Sequence, residues 1–355
     1  MSIKRAERQN AGHELTVSAS PGTVPSIMPL GNDAMPPLRL GLIGVGRHGS
    51  RYLRHIADLP EARLVAVCRR TGVMDESAGR AMPCYADYRK LIDDPEVEAI
   101  IVVTPPSVNR DICLAAVQAK KPLLIEKPLA TTAADAAAMV QAAREAGVIL
   151  MTAQTLRFDP AIVSAKALGH EAGSPRYLSL TLRMEPSSAS QVSTAFSGRG
   201  ILLEIGIHLL DLVRFLTGEE VEEVRCLMDA VPPAAAEARV FAWLRTTGSC
   251  WALFDVSRVS SGRVGRVEWI GTRGQLEADW QARRLRLVSA SVPNREWQVE
   301  PTPTIVETLR SFIGSVRDGT EPVISGEDGQ RAVEIAEACY ESARHNGEPV
   351  MVRRR

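Results

Sequence analysis

Leu40-Gly41-Leu42-Ile43-Gly44-Val45-Gly46-Arg47-His48-Gly49 is a short apolar run that leads straight into a G-x-G-x-x-G turn. The residues behind it, Ser50–Leu59, carry Tyr52, Leu53, Ile56 and Leu59 at helical spacing. Strand, glycine turn and helix in that order are the context the motif requires. The first glycine permits a tight turn and the second lets a phosphate approach the backbone. The third allows close helix–strand packing, and the helix N-terminus faces negative charge. A glycine turn without a ligand is the alternative, and the units that follow weigh against it.

Outward from this stretch, Arg63–Cys68, Ala99–Val103, Leu123–Ile125 and Val148–Thr152 are predicted strands. Helices are predicted over Asn109–Ala119 and Thr132–Ala146. The second starts at the capping pair Thr132 and Asp135 and stops at Gly147. Apolar strands alternating with helices predict a parallel sheet covered on both faces. After about residue 158 the rhythm changes. Arg176–Met184 alternates as a strand, and Gly200–Leu216 is a long apolar helix. Strand-like segments follow at Glu223–Ala230, Ala238–Arg245, Ser249–Ser257, Arg263–Ile270, Gln275–Ala278 and Arg284–Ser289. Two helices, near Ile305–Arg317 and Gly326–His345, finish the chain. The expected fold is a Rossmann-type α/β domain over 38–157, then an α+β domain over 158–355 with an open-faced, mainly antiparallel sheet. The last helix is expected to pack back on the first domain. Residues 1–37, rich in Ser, Pro, Gly and Asn, are expected to form a disordered extension.

The 355 residues hold 42 Lys+Arg and 42 Asp+Glu, a balance that points away from a nucleic-acid partner. No apolar run approaches the ~20 residues that span a bilayer. Six scattered cysteines show no C-x-x-C spacing, which fits a reducing compartment, the cytoplasm, and argues against a metal site.

The end of the second strand reads Val67-Cys68-Arg69-Arg70-Thr71, where an NAD enzyme usually places Asp or Glu. Arg69 and Arg70 can pair with a 2′-phosphate, so NADP(H) is favoured and NAD(H) is the second choice. Solvated loop charges are the alternative for both. Glu126-Lys127-Pro128 follows another strand of the parallel sheet, where ligands bind. A lysine there can steady an oxyanion, although a surface lysine is the commoner fate. In the apolar helix, Glu204, His208 and Asp211 fall at i, i+4 and i+7, on one face. That stripe fits a proton-transfer site, and a satisfied His208–Asp211 core pair is the alternative.

Together the glycine turn, Thr104-Pro105-Pro106, Glu126-Lys127-Pro128, the Glu204-x-x-x-His208-x-x-Asp211 helix and Ser325-Gly326-Glu327-Asp328-Gly329 resemble the Gfo/Idh/MocA oxidoreductases. The resemblance runs from about Leu38 to the C-terminus. It implies an NAD(P)-dependent dehydrogenase acting on a secondary alcohol or ketone of a sugar, cyclitol or related polyol. It implies a homodimer or homotetramer formed through the C-terminal sheet, and no metal. Gly44, Gly46, Arg47, His48, Gly49, Arg69, Arg70, Thr104, Pro105, Glu126 and Lys127 fall to the cofactor. Lys127 and His208 become the catalytic pair with Glu204 beside them, and Arg157 and Asp211 orient the substrate. Three positions depart from the family pattern. Glu204 stands where Asp is usual, Asn109 where many members have His, and Arg199 interrupts a glycine stretch. The rival expectation is therefore a protein that binds NAD(P) without turnover, as a redox-responsive or structural partner.

Overall fold

The computed structural model describes residues 35–72, 82–186, 196–230, 236–290 and 293–354. The expected N-terminal extension lies almost wholly outside these residues. Strand β1, Leu38–Ile43, runs into the glycine turn, and helix α1, Gly49–Ala57, leaves it. Then come β2 (Ala62–Cys68), β3 (Cys84–Tyr85), α2 (Tyr88–Ile92), β4 (Ala99–Val102), α3 (Asn109–Gln118), β5 (Leu123–Glu126), α4 (Ala133–Ala146) and β6 (Leu150–Ala153). The six strands form one sheet in the order β3-β2-β1-β4-β5-β6, and every neighbouring pair is parallel. The strand order reverses between β1 and β4. Such a reversal opens a crevice at the carboxyl ends of the strands, where Gly44, Thr104 and Lys127 all emerge.

Two glycines of the turn are sterically obligatory. Gly44 has φ +97°, and a Cβ on it would lie 2.3 Å from the Val103 carbonyl oxygen. A Cβ on Gly49 would lie 1.9 Å from the Gly44 carbonyl oxygen. At Gly46 a Cβ would meet nothing within 4 Å. That glycine is not required by packing.

The second half adds α5 (Pro160–Ala172), β7 (Pro175–Arg183), a π-helical turn at Leu202–Gly206, α6 (Ile207–Thr217), β8 (Val221–Ala230), β9 (Glu237–Thr246), β10 (Trp251–Ser257), β11 (Val264–Gly271), β12 (Gly274–Asp279), β13 (Arg284–Ser289) and β14 (Arg295–Gln298). Helices α7 (Thr304–Asp318) and α8 (Gly326–Arg344) and a short β15 (Val350–Met351) end the chain. The second sheet has nine strands in the order β14-β13-β12-β11-β7-β10-β9-β8-β15. Within this second sheet only β7 and β10 pair in parallel among the described strands.

Five elements went unseen in the periodicity, namely β3, α2, α5, β14 and β15. For α5 the signal was present. Asp159 accepts from the Ala161 N–H as N-cap and Pro160 stands at the first helical position. The long helix expected over Gly200–Leu216 is interrupted by the wide turn at Leu202–Gly206. The closing helices return to the first sheet. Leu309, Phe312 and Ile313 of α7 join the apolar cluster of Leu40, Leu42, Tyr52 and Ile56, and α8 packs on α4 as well as on α6 and β8.

Gly49→Ala should cost about 1–3 kcal/mol of stability in urea unfolding, the range for overpacking a filled site. Gly46→Ala should stay within about 0.5 kcal/mol of the parent. Equal losses at the two positions would contradict this account of the turn.

Candidate active site

The glycine turn and the end of β5 are joined through one carboxylate. Glu126 is 7% exposed. Its Oε1 lies 2.7 Å from His48 Nε2 and accepts from the Tyr52 hydroxyl at 2.6 Å, while Oε2 accepts from the Lys127 backbone N–H at 3.1 Å. Burial alone would push this carboxyl up. The hydrogen bonds from His48 and Tyr52 and the charge of Lys127 outweigh burial and hold it below its usual value. Glu126 and His48 therefore brace each other across the crevice. His48 caps nothing at the start of α1, and this leaves that helix end without a side-chain claim.

Lys127 leaves β5 next to a cis bond to Pro128. Its Nζ donates to the backbone carbonyl of Glu204 at 2.5 Å. Burial pushes the ammonium below its ordinary value, the carboxylates of Glu126 and Glu204 pull it back up, and Arg258 adds repulsion. The contact carries the strand-end lysine onto the element that bears His208. Turns of π geometry are frequent at functional sites, and this one holds Glu204.

The three polar residues of that element each find a partner from a different part of the chain. Glu204 Oε1 pairs with Arg258 Nη2 at 2.7 Å, one residue beyond β10. His208 Nδ1 lies 2.9 Å from Gln154 Oε1, one residue beyond β6. Asp211 takes both forks of Arg157, at 2.7 and 2.5 Å. Asp211 therefore does not hold His208, and the alternative reading of a His208–Asp211 core pair gives way to these two separate contacts. Arg157 and Asp211, expected to orient a substrate, are 8% and 1% exposed and are committed to each other. Arg157 also reaches Asp328 Oδ1 at 3.0 Å, which Arg214 shares at 2.8 Å. The other oxygen of Asp328 accepts from the Ser325 N–H at 3.0 Å and completes the capping box of α8. This buried ionic network ties α6, the turn after β6 and the start of α8 together.

The remaining departures from the family pattern serve the segment behind Lys127. Asn109 accepts from the Thr104 hydroxyl at 2.8 Å and donates to the carbonyls of Pro128 and Leu129 at 3.3 and 3.1 Å. Arg199 donates to the Thr131 carbonyl at 2.6 Å and stacks on Tyr340, 4.7 Å from its ring centre. Arg69 and Arg70 follow β2 directly, and Arg70 is exposed. Pro105 is exposed at the end of β4. Arg47 is exposed in the glycine turn.

Gln154 and Arg258 were missed in the sequence. Neither belongs to a spaced motif, and both contact the site through the packing of distant elements. Three buried polar atoms here lack a partner among the described residues: Gln154 Nε2, Glu204 Oε2 and Arg258 Nε. Such atoms are costly inside a protein and call for a partner such as a water, an ion or a polar ligand. No group of three or more His, Cys, Asp or Glu is placed to hold a metal among the described residues. The six cysteines are free, and burial pushes the thiols of Cys68 and Cys250 up to about 11 and Cys113 up to about 12.

A parallel sheet with this strand order, a glycine turn open at Gly46 and a lysine at the end of β5 define a dinucleotide-binding oxidoreductase. Family models place the chain further. Residues 38–154 match the oxidoreductase family with an NAD-binding Rossmann fold, and 169–277 match the GFO/IDH/MocA C-terminal domain. The chain belongs to the Gfo/Idh/MocA family. It is 30% identical to the myo-inositol 2-dehydrogenase of Thermotoga maritima over 86% of its own length and 96% of that protein. It is 31% identical to the D-apiose dehydrogenase of Paraburkholderia graminis over 85% and 87%. The crystal structure of an aldose-aldose oxidoreductase from Caulobacter crescentus, complexed with glycerol, superposes with a TM-score of 0.78. It is 26% identical and covers 89% of this chain and 99% of that one.

If the Arg157–Asp211 pair holds the fold, Asp211→Ala, which leaves the buried guanidinium with Asp328 alone, should destabilise the protein by about 1–3 kcal/mol in chemical unfolding. A loss under about 1 kcal/mol would contradict that role.

Proposed function

We propose that this protein transfers hydride between NAD(P) and a secondary alcohol or ketone of a sugar, cyclitol or related polyol. The observation that carries the proposal is the Lys127–Glu204 contact, which brings the lysine at the end of β5 onto the helix of His208. The residues around the crevice fit a nicotinamide dinucleotide, since the glycine turn is open at Gly46 and the start of α1 is unclaimed by a side-chain cap. When bound, the nicotinamide supplies the hydride acceptor at C4. His208 takes the hydroxyl proton as the C–H bond gives up its electron pair, and the Lys127 ammonium steadies the charge developing on oxygen. Glu204 Oε2 and Arg258 Nε, an acceptor and a donor, are suited to hydroxyls beside the reacting carbon. The names of the inositol and apiose relatives support the substrate class.

Of the two cofactors we favour NADP(H), on Arg69 and Arg70 at the end of β2 and the lack of Asp or Glu there. One relative, 26% identical, is named for NAD+, the scyllo-inositol 2-dehydrogenase of Bacillus subtilis. Fluorescence titration with NADPH and NADH decides between them. We also propose the cytoplasm as location, on the free thiols.

His208 is held well below the ordinary imidazole value, by burial first and then by Lys127 and His48. Proton acceptance requires the neutral ring, so oxidation is lost as pH falls through its pKa. The acid limb of kcat/KM should therefore lie below pH 6.5, with no fall through neutrality. Lys127→Ala should lower kcat about 10²–10⁴-fold, the usual range for an acid–base or oxyanion group. Dinucleotide binding should change less than about twofold. Tight NAD(P)H binding with no turnover on any sugar, inositol or ketone would instead favour the non-catalytic alternative.

The second sheet carries an exposed apolar stripe. Tyr177, Leu227, Phe241, Trp243, Trp251 and Leu253 are 37–49% exposed on its outer face. They pair across strands as Tyr177 with Trp251, Leu253 with Trp243 and Phe241 with Leu227. Ion pairs Arg183–Asp255 and Arg239–Asp229 flank them. A contiguous patch with a polar rim marks a contact surface, and we assign it to a homodimer or homotetramer. Light scattering should show the parent as an oligomer and Trp243→Lys with Phe241→Lys as a smaller species. An unchanged mass in the double variant would refute the assignment.

A further inference from the structure

A histidine that accepts a proton must present one bare ring nitrogen, and its single proton sits on whichever nitrogen its surroundings stabilise. A carboxylate is the common partner for the other nitrogen. Here both carboxylates on the same element are spent elsewhere, Glu204 on Arg258 and Asp211 on Arg157. The atom facing His208 Nδ1 is an amide oxygen of Gln154, at 2.9 Å. Gln154 is 1% exposed and opens the turn at Thr155–Phe158, so β6 and that turn hold it from both sides.

We propose that Gln154 is a positioning residue that selects the tautomer of His208, accepting the Nδ1 proton and leaving Nε2 bare for the substrate hydroxyl. The proposal rests on His208 as the proton-transfer group. Counting hydrogen bonds does not choose the amide orientation, since Gln154 Nε2 is left without a partner in this one. Chemistry does choose. A reversed amide would donate to Nδ1, drive the proton onto Nε2 and abolish the base. A neutral amide orients the ring without the charge that a carboxylate would add to favour imidazolium. The other charges around the ring are Lys127 and His48, both repelling a proton, with Glu204 and Asp211 offset by their arginines. His208 is thereby kept neutral and ready to accept, and it returns the proton easily.

Long-range 1H–15N correlation on the full chain with 15N-labelled histidine reads the tautomer directly, and the His208→Asn spectrum identifies the His208 signals. The parent should show Nδ1 protonated and Nε2 bare; a ring protonated at Nε2 overturns the proposal without any Gln154 variant. Gln154→Leu should shift the ring towards the Nε2-protonated form and lower kcat at least about tenfold, leaving dinucleotide affinity unchanged. Gln154→Glu should keep the parent tautomer, raise the His208 pKa and move the acid limb of kcat to higher pH. An unchanged tautomer in the leucine variant, or an unmoved limb in the glutamate variant, also overturns it. The spectra need no substrate. A chain that turns over no polyol yet shows the predicted tautomer would sink the dehydrogenase proposal and leave the positioning of His208 standing.

Discussion

A carboxylate buried at the end of a parallel strand must be bonded on every side or lose its charge, and Glu126 meets that condition at the centre of the cleft. Its three bonds reach the glycine turn through His48, helix α1 through Tyr52, and the backbone of Lys127. The glycine turn and Lys127, to which we assign the dinucleotide and the substrate, are thus fixed to one carboxylate. Glu126 was expected among the cofactor contacts. Its acceptor capacity is largely used inside the protein, which makes it a brace between the two halves of the site.

The same pairing rule sorts the rest of the cleft. Arg157, Asp211, Arg214 and Asp328 bond one another and leave the chemistry to others. Glu204 is held by Arg258, so it is not a free base. Asn109 and Arg199, both unusual for the family, spend their donors on the carbonyls of Pro128, Leu129 and Thr131 and steady the segment that follows Lys127. Outside these pairs stand His208 and Lys127, the two residues to which we assign proton transfer and oxyanion stabilisation.

Much of this was legible in the sequence because it is local. Gly44 and Gly49 announce themselves since no other residue fits their backbone and neighbours. The strands of the parallel sheet are apolar runs, and the capping pair expected at Thr132 is confirmed by its bond to Asp135. The misses are of two physical kinds. Periodicity of 3.6 does not reveal a single wide turn, so the break at Leu202–Gly206 stayed hidden inside an unbroken apolar pattern. Partners chosen by tertiary packing are equally silent. His208 and Asp211 share a helix face, yet their partners Gln154 and Arg157 come from more than 50 residues away, at the end of the first sheet. A same-face rule predicts neighbours and cannot predict competitors.

The central claim is direct hydride transfer in the cleft between Lys127 and His208. Its most direct measurement follows the reacting hydrogen with a polyol deuterated at its carbinol carbon, using mass spectrometry and NMR of the reduced cofactor. The account predicts one deuterium at C4 of the nicotinamide in the parent protein, and none gained in the His208→Asn, Lys127→Ala double variant. Deuterium released to solvent, or transfer at the parent rate in the double variant, would contradict it.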